Sequence, residues 1–148
     1  MDDIDRKILN KIQSGFPIVK RPFLDIADPL NINESEVLDR IEHMKNSGKI
    51  RRIGANFHSG KLGFASTLCA AKVPENKLDI FVEKVNSFKG VTHNYIRANN
   101  YNVWFTFIAE DMDTIEKSLQ RISESTGVKD ILNLPAQKMF KIKVDFDM

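Results

Sequence analysis

The chain has 148 residues, of which 42% are hydrophobic and 28% charged, with a formal net charge of +2. That length makes one ordinary domain or two small ones with a real core, and no apolar run approaches the length of a membrane span. Residues 1–50 hold eight Lys/Arg against nine Asp/Glu and residues 51–148 fourteen against eleven, so neither half has the positive excess of a domain held on DNA phosphates.

The N-terminus, Asp2-Asp3-Ile4-Asp5, is acidic and unlike a signal or transit peptide. The single cysteine, Cys69, lies in an apolar run and reads as a packing residue. Both features point to a cytoplasmic protein. In the first predicted helix, Ile4, Ile8, Leu9 and Ile12 share a face, with aspartates at the favourable end, and Gly15 and Pro17 stop it. A short second helix runs from Phe23 to Ala27, before Asp28-Pro29 and a turn near Leu30-Asn31. The third begins at Asn33, with Glu36 placed as in a capping box, and buries Val37, Leu38, Ile41 and Met44 before Gly48 ends it. Residues 50–57 follow as a strand candidate. Three small helices and a strand make a winged helix-turn-helix over residues 1–58.

Residues 59–63 form a boundary, and a second domain is expected over residues 62–148. Its first strand, 64–73, closes at Pro74. A helix then carries Leu78, Phe81, Val82 and Val85 at i, i+3, i+4 and i+7, with Gly90 beyond its end. Strands 91–97 and 101–106 are joined by Ala98-Asn99-Asn100. The next helix reads as capped by Asp113, with Glu116 three residues on, Ile115, Leu119 and Ile122 buried, and Gly127 at its end. Residues 128–134 make a strand up to Pro135, and the alternation of 140–146 predicts one more. The order βαββαβ is a ferredoxin-like α+β sandwich. Its helices cover only one sheet face, so the other face predicts a partner.

The central hairpin is chemically unusual. Strand alternation sets His93, Tyr95 and Arg97 on one face and Thr92, Asn94 and Ile96 on the other. A weak acid, a hydroxyl and a fixed cation in one row can hold and protonate an anionic ligand; the plainer reading is a polar hairpin facing water. Val103, Phe105 and Phe107 suit the face under the helices, which puts Asn102, Trp104 and Thr106 on the open one. The pairing of the two strands stays open at this stage, and with it whether His93 and Trp104 share a face. No metal-ligand cluster with zinc-like spacing, Gly-rich phosphate loop or Ser/Cys nucleophile motif appears.

Two resemblances follow from these motifs. Asp3-Ile4-Asp5-Arg6-Lys7-Ile8-Leu9, and Glu36-Val37-Leu38-Asp39-Arg40-Ile41 through Gly48-Lys49-Ile50, resemble the Lrp/AsnC architecture of transcription regulators. The stretches Ile50-Arg51-Arg52-Ile53-Gly54-Ala55-Asn56-Phe57, Lys61-Leu62-Gly63-Phe64, Gly90-Val91-Thr92-His93-Asn94-Tyr95 and Tyr101-Asn102-Val103-Trp104-Phe105-Thr106 resemble the siroheme decarboxylase family, which shares that architecture. Asn133-Leu134-Pro135-Ala136 and the C-terminal run from Phe140 to Phe146 are similar to the tail of its alpha subunits.

That resemblance implies loss of carbon dioxide from two acetate side chains of siroheme. The product is didecarboxysiroheme, on the way to heme or heme d1. It implies no cofactor beyond the iron tetrapyrrole substrate, and a heterodimer with a homologous beta subunit or self-association; the charge balance, the lack of a long apolar run and the lack of a ligand cluster predict neither specific DNA nor membrane as partner and no protein-held metal. In this frame Arg51, Arg52, Lys61 and Arg97 are candidate carboxylate binders. Each has the alternative of being a solvated surface cation. Because Arg51 and Arg52 are adjacent in the expected strand, only one should reach the ligand directly. His93 is the first candidate for protonating the methylene left by decarboxylation, with Tyr95 to orient a carboxylate or relay the proton. The other reading of His93 is an interface or core histidine. His58, Asn94 and Trp104 are further substrate-binding candidates, Trp104 by stacking on the macrocycle or anchoring an interface. The alternatives are a regulator of the Lrp/AsnC type and a tetrapyrrole sensor without turnover. Against the regulator, the third helix carries Glu34, Glu36, Asp39 and Glu42 against Arg40 and Lys45.

Overall fold

A computed structural model describes residues 1–55, 57–138, 140, 141 and 146, with Ser14 in its backbone only. The chain divides into two compact units, Met1–Ala55 with Lys141–Met148, and Asn56–Phe140.

The first unit is built on three helices, α1 (Asp3–Gly15), α2 (Pro22–Ala27) and α3 (Glu34–Asn46). Ile8, Ile26, Ala27, Val37, Ile41 and Met44 form its buried core, and Phe16 meets Phe23 edge to face at 5.8 Å. Between α2 and α3 the chain makes a 3-10 turn, Asp28–Leu30, and reverses at Asn31, whose φ of +54° is a conformation asparagine tolerates better than most residues. Leu38, expected inside, is exposed on the outer side of α3.

The capping box lies on α1, not on α3. The Asp2 carboxylate accepts from the Asp5 N–H at 2.8 Å and the Asp5 carboxylate accepts from the Asp2 N–H at 3.1 Å, whereas Asn33 makes no side-chain cap bond. The same two carboxylates bind one guanidinium. Arg40 of α3 donates to Asp2 and Asp5 at 2.8 Å each and to Glu36 at 2.9 Å. These bonds tie the middle of α3 to the start of α1. The Asp5 N–H, and then Arg40, hold the Asp2 carboxyl below its ordinary range, and its carboxylate partners raise the Arg40 guanidinium further. Residues 50–55, 57 and 58 carry no strand, so the expected wing strand is absent among the described residues. Without a strand there, alternation does not set Arg51 and Arg52 on opposite faces.

The second unit runs β1 (Ala65–Ala71), α4 (Leu78–Asn86), β2 (Val91–Ile96), β3 (Val103–Ala109), α5 (Met112–Thr126) and β4 (Ile131–Leu134). The sheet order is β2-β3-β1-β4, with every neighbouring pair antiparallel. Phe81 and Val85 of α4 and Ile115, Leu119 and Ile122 of α5 pack on Cys69, Ala71, Val103, Phe105 and Phe107. Burial pushes the Cys69 thiol up to about 12, which leaves it a packing group. The cap of α5 is Asp111, which accepts from the Thr114 N–H at 2.7 Å; Asp113, expected in that role, instead pairs with Lys117 at 2.6 Å. The strand expected over 140–146 falls largely outside the described residues.

Arg40→Ala should lower the melting temperature at neutral pH. Because the Asp2 pKa is depressed in the folded state, its contribution is present above the ordinary value of 3.8 and is lost as pH falls through the folded value. The gap in melting temperature between parent and variant should therefore narrow below that pH, as thermal melts down the acid range will show. Gly90 offers a separate check: a Cβ there would stand 2.1 Å from the Ile108 carbonyl oxygen. Gly90→Ala should cost about 1–3 kcal/mol in denaturant unfolding, the usual range for overpacking.

Candidate functional site

One irregularity decides which β2 side chains reach the uncovered sheet face. Val91 lies opposite Phe107 but His93 opposite Thr106, so two steps along β2 match one along β3 and Thr92 is the extra residue of a bulge. Residues directly opposite in an antiparallel pair project to the same face. Strict alternation from Val91 would place His93 opposite Phe105, among the core residues. The bulge shifts the parity, so that His93 stands beside Thr106 and Tyr95 beside Trp104, both on the open face.

The pairing therefore brings His93 and Trp104 to one side. The His93 and Tyr95 rings are stacked, 6.0 Å apart and 23° from parallel. The Thr92 hydroxyl lies 3.0 Å from His93 Nδ1, which leaves Nε2 as the ring's free nitrogen. Arg97, just beyond β2, sets its guanidinium 5.9 Å from the Trp104 ring centroid, a cation–π distance. The indole N–H of Trp104 donates to the Tyr101 carbonyl at 2.7 Å. Opposite Trp104 on β1 is Ala70, fully buried, and beyond it Leu132 of β4. Leu68, Leu132 and Leu134 share the open face and are 43%, 37% and 40% exposed. The face thus has a polar, aromatic half over β2 and β3 and an aliphatic half over β1 and β4. The first half can protonate, stack and pair with an anion.

Other candidates lie elsewhere. Asn94 is opposite Phe105, on the helix side, where its amide donates to Asn86 at the end of α4 at 3.0 Å and its carbonyl oxygen is buried without a partner. Asn102, expected on the open face, spends its side chain on the Val73 backbone. It accepts from the Val73 N–H and donates to the Val73 carbonyl, both at 2.8 Å. His58 caps the 3-10 turn Ser59–Leu62, its Nδ1 accepting from the Lys61 N–H at 3.3 Å; both side chains are exposed. Thr92, and the aliphatic row of Leu68, Leu132 and Leu134, were missed in the sequence. The leucines were legible as alternate positions of two strands, but the bulge left no local signal.

In the first unit, Arg51 and Arg52 are both exposed and both line a groove of about 680 Å³, with Lys49 and the apolar side chains of Leu9, Ile12, Phe16 and Ile50. Gln13 also lines it, and its amide exchanges two hydrogen bonds with the backbone of Phe146, at 2.8 and 2.9 Å. Among the described residues, apolar walls with three cations suit an anionic ligand, but no histidine, tyrosine or cysteine lines the groove to serve as a proton donor near neutral pH. No group of three or more His, Cys, Asp or Glu able to hold a metal ion occurs among the described residues.

Comparison with known proteins fits this layout. Residues 5–51 match the family described as siroheme decarboxylase NirDL-like HTH domain, and residues 61–141 the AsnC-like ligand binding domain. The chain is 53% identical to the siroheme decarboxylase alpha subunit of Desulfovibrio desulfuricans, over all of this chain and 85% of that one. It is 35% identical to the siroheme decarboxylase NirD subunit of Pseudomonas aeruginosa, over all of this chain and 97% of that one. The crystal structure of the siroheme decarboxylase NirDL superposes with a TM-score of 0.72 at 33% identity, over 99% of this chain and 48% of that chain, so this chain spans about half of NirDL. E. coli AsnC gives a TM-score of 0.80 at 17% identity, over 98% of this chain and 97% of that one, a likeness of fold alone. With identity at this level running the whole length of this chain and 85% or more of relatives so named, the chain belongs to the siroheme decarboxylase family.

Proposed function

We propose that this chain is a subunit of a siroheme decarboxylase, a carboxy-lyase that removes carbon dioxide from two acetate side chains of siroheme and releases didecarboxysiroheme. The observation that carries the reading is the stacked His93–Tyr95 pair beside Trp104 on an uncovered sheet face, in a chain 53% identical to a siroheme decarboxylase alpha subunit. A NirDL structure is described in co-complex with an iron-uroporphyrin III analogue, which supports a tetrapyrrole as the ligand here.

In this reading the acetate C–C bond breaks, carbon dioxide leaves, and the electron pair stays on the methylene carbon, conjugated with the pyrrole. His93 then gives that carbon a proton through Nε2, making a methyl group, and is reprotonated from solvent. The Thr92 hydroxyl at Nδ1 fixes the ring's orientation. Tyr95 orients the departing carboxylate, Trp104 stacks on the macrocycle, and Arg97 pairs with a neighbouring carboxylate. Arg51, Arg52 and Lys61 enter on charge alone, as further carboxylate binders; His58 and Asn94 are occupied by structural bonds and contribute less directly. No cofactor is required beyond the iron tetrapyrrole itself. Relatives are named as alpha, NirD and NirG subunits, and NirDL matches this chain over about half its length. These names support a homologous partner, in a heterodimer or by self-association; the uncovered sheet face, with its exposed Leu68, Leu132 and Leu134, is the surface assigned to it in this reading. The regulator reading has nothing comparable. Of the cations on α3, Arg40 is held by three carboxylates, and Asp39 and Glu42 are exposed.

Anaerobic incubation of the chain with siroheme, with and without its homologous partner, should yield a product lighter by two carbon dioxide units; binding without mass loss would leave a sensor. In the same assay His93→Ala should lower turnover by roughly 100- to 10,000-fold with siroheme still bound. Near-normal turnover at saturation would remove His93 from the proton-donor role. Replacing Arg51 or Arg52 with alanine should instead weaken affinity, with a smaller change in turnover at saturation, because a carboxylate contact is made in ground and transition states alike. Single-turnover and binding measurements separate the two effects.

A further inference from the structure

Five hydrogen bonds lace together the end of the sheet from which Trp104 and Arg97 project. Asn102 clamps the Val73 backbone through both amide atoms at 2.8 Å, fixing the start of β3 to the segment after β1. The Lys72 N–H donates to the Asp130 carbonyl at 2.9 Å, fixing that same segment to the approach of β4. The Tyr101 hydroxyl donates to the Asp130 carboxylate at 2.9 Å, closing the ring. The hairpin turn is bound in as well, because the Arg97 N–H donates to the Asn102 carbonyl at 2.8 Å.

Tyr101 is where this lacing meets the site. Its side chain is fixed by Asp130, and its carbonyl accepts the indole N–H of Trp104 at 2.7 Å. The indole orientation is set by that bond, by Ala70 opposite and by the Arg97 guanidinium. A side chain meant to stack on a flat ligand gains affinity when its rotamer is held before binding. We propose that Tyr101, anchored by Asp130, is a positioning residue for the tetrapyrrole site, holding Trp104 flat on the open face. The proposal rests on the siroheme reading given above. Neither residue touches the ligand; their effect passes through the Tyr101 backbone to the indole.

Trp104 is the chain's single tryptophan, so tryptophan emission from the isolated full chain reports this side chain alone. The variants are Tyr101→Phe and Asp130→Ala, which break the bond, and Asp130→Asn, which keeps an acceptor oxygen. Tyr101→Phe and Asp130→Ala should lower the Trp104 emission anisotropy. With the partner subunit present, they should raise KM for siroheme roughly three- to tenfold, the value of one hydrogen bond, with kcat changed by less than about twofold. Asp130→Asn should stay near the parent in both readouts. Anisotropy and KM at parent values in Tyr101→Phe and Asp130→Ala would overturn the proposal, as would a fall in kcat with KM unchanged. The parent also serves as control: bound siroheme should quench Trp104. Quenching in the parent with unaltered variants sinks the positioning role alone; absence of quenching sinks the siroheme reading and the proposal with it.

Discussion

The parity of β2 is the constraint on which the candidate site depends. A strand has only two faces, and one inserted residue exchanges them. Before Thr92 the strand is in register with the core, with Val91 opposite Phe107; after it, His93 and Tyr95 are opposite Thr106 and Trp104. Without the insertion an imidazole and a phenol would be aimed into a layer made of Phe81, Phe105 and Phe107, where their polar atoms would lack partners. With it, Asn94 takes the inward position and meets Asn86. The close approach of Gly90 to Ile108 lies immediately before the bulge, so the start of β2 and the site share one local backbone path.

Much of this was legible in the sequence where burial is periodic. Leu78, Phe81 and Val85, and Ile115, Leu119 and Ile122, pack into the core as their spacing requires, whereas Val82 stays half-exposed outside it, and the order of elements in the second unit follows. The failures are local. Asn33 has the residue type of a cap but no side-chain bond, while Asp2 and Asp5 form the box because Arg40 draws both carboxylates together. Residues 50–53 have strand composition, yet a strand needs a ladder partner and none is present among the described residues. Alternation put His93, Tyr95 and Arg97 together and was right about them. It put Thr92 with Asn94, and a bulge overrides any count of two. The sequence could not foresee Asn102 turning to the Val73 backbone, because that contact spans residues far apart in the chain.

The two units handle charge in opposite ways. The first gathers three carboxylates, Asp2, Asp5 and Glu36, around the one guanidinium of Arg40, which ties α3 to the start of α1. Near its open face the second uses one carboxylate for structure, Asp130, which holds the Tyr101 hydroxyl. Its polar atoms there are a ring nitrogen, hydroxyls and an indole, with Arg97 held by a π-face and not by a carboxylate. Arg97, with no carboxylate partner among the described residues, keeps its attraction for an incoming anion.

The buried thiol of Cys69 has a practical consequence. It is the chain's single cysteine, it is fully enclosed, and its high pKa keeps it protonated. Thiolate-directed reagents therefore meet no competing target in the folded protein. A cysteine introduced at a chosen point on the surface would carry a spin label or fluorophore alone, and distances between such labels would report how the chain sits against another subunit without first rebuilding its core.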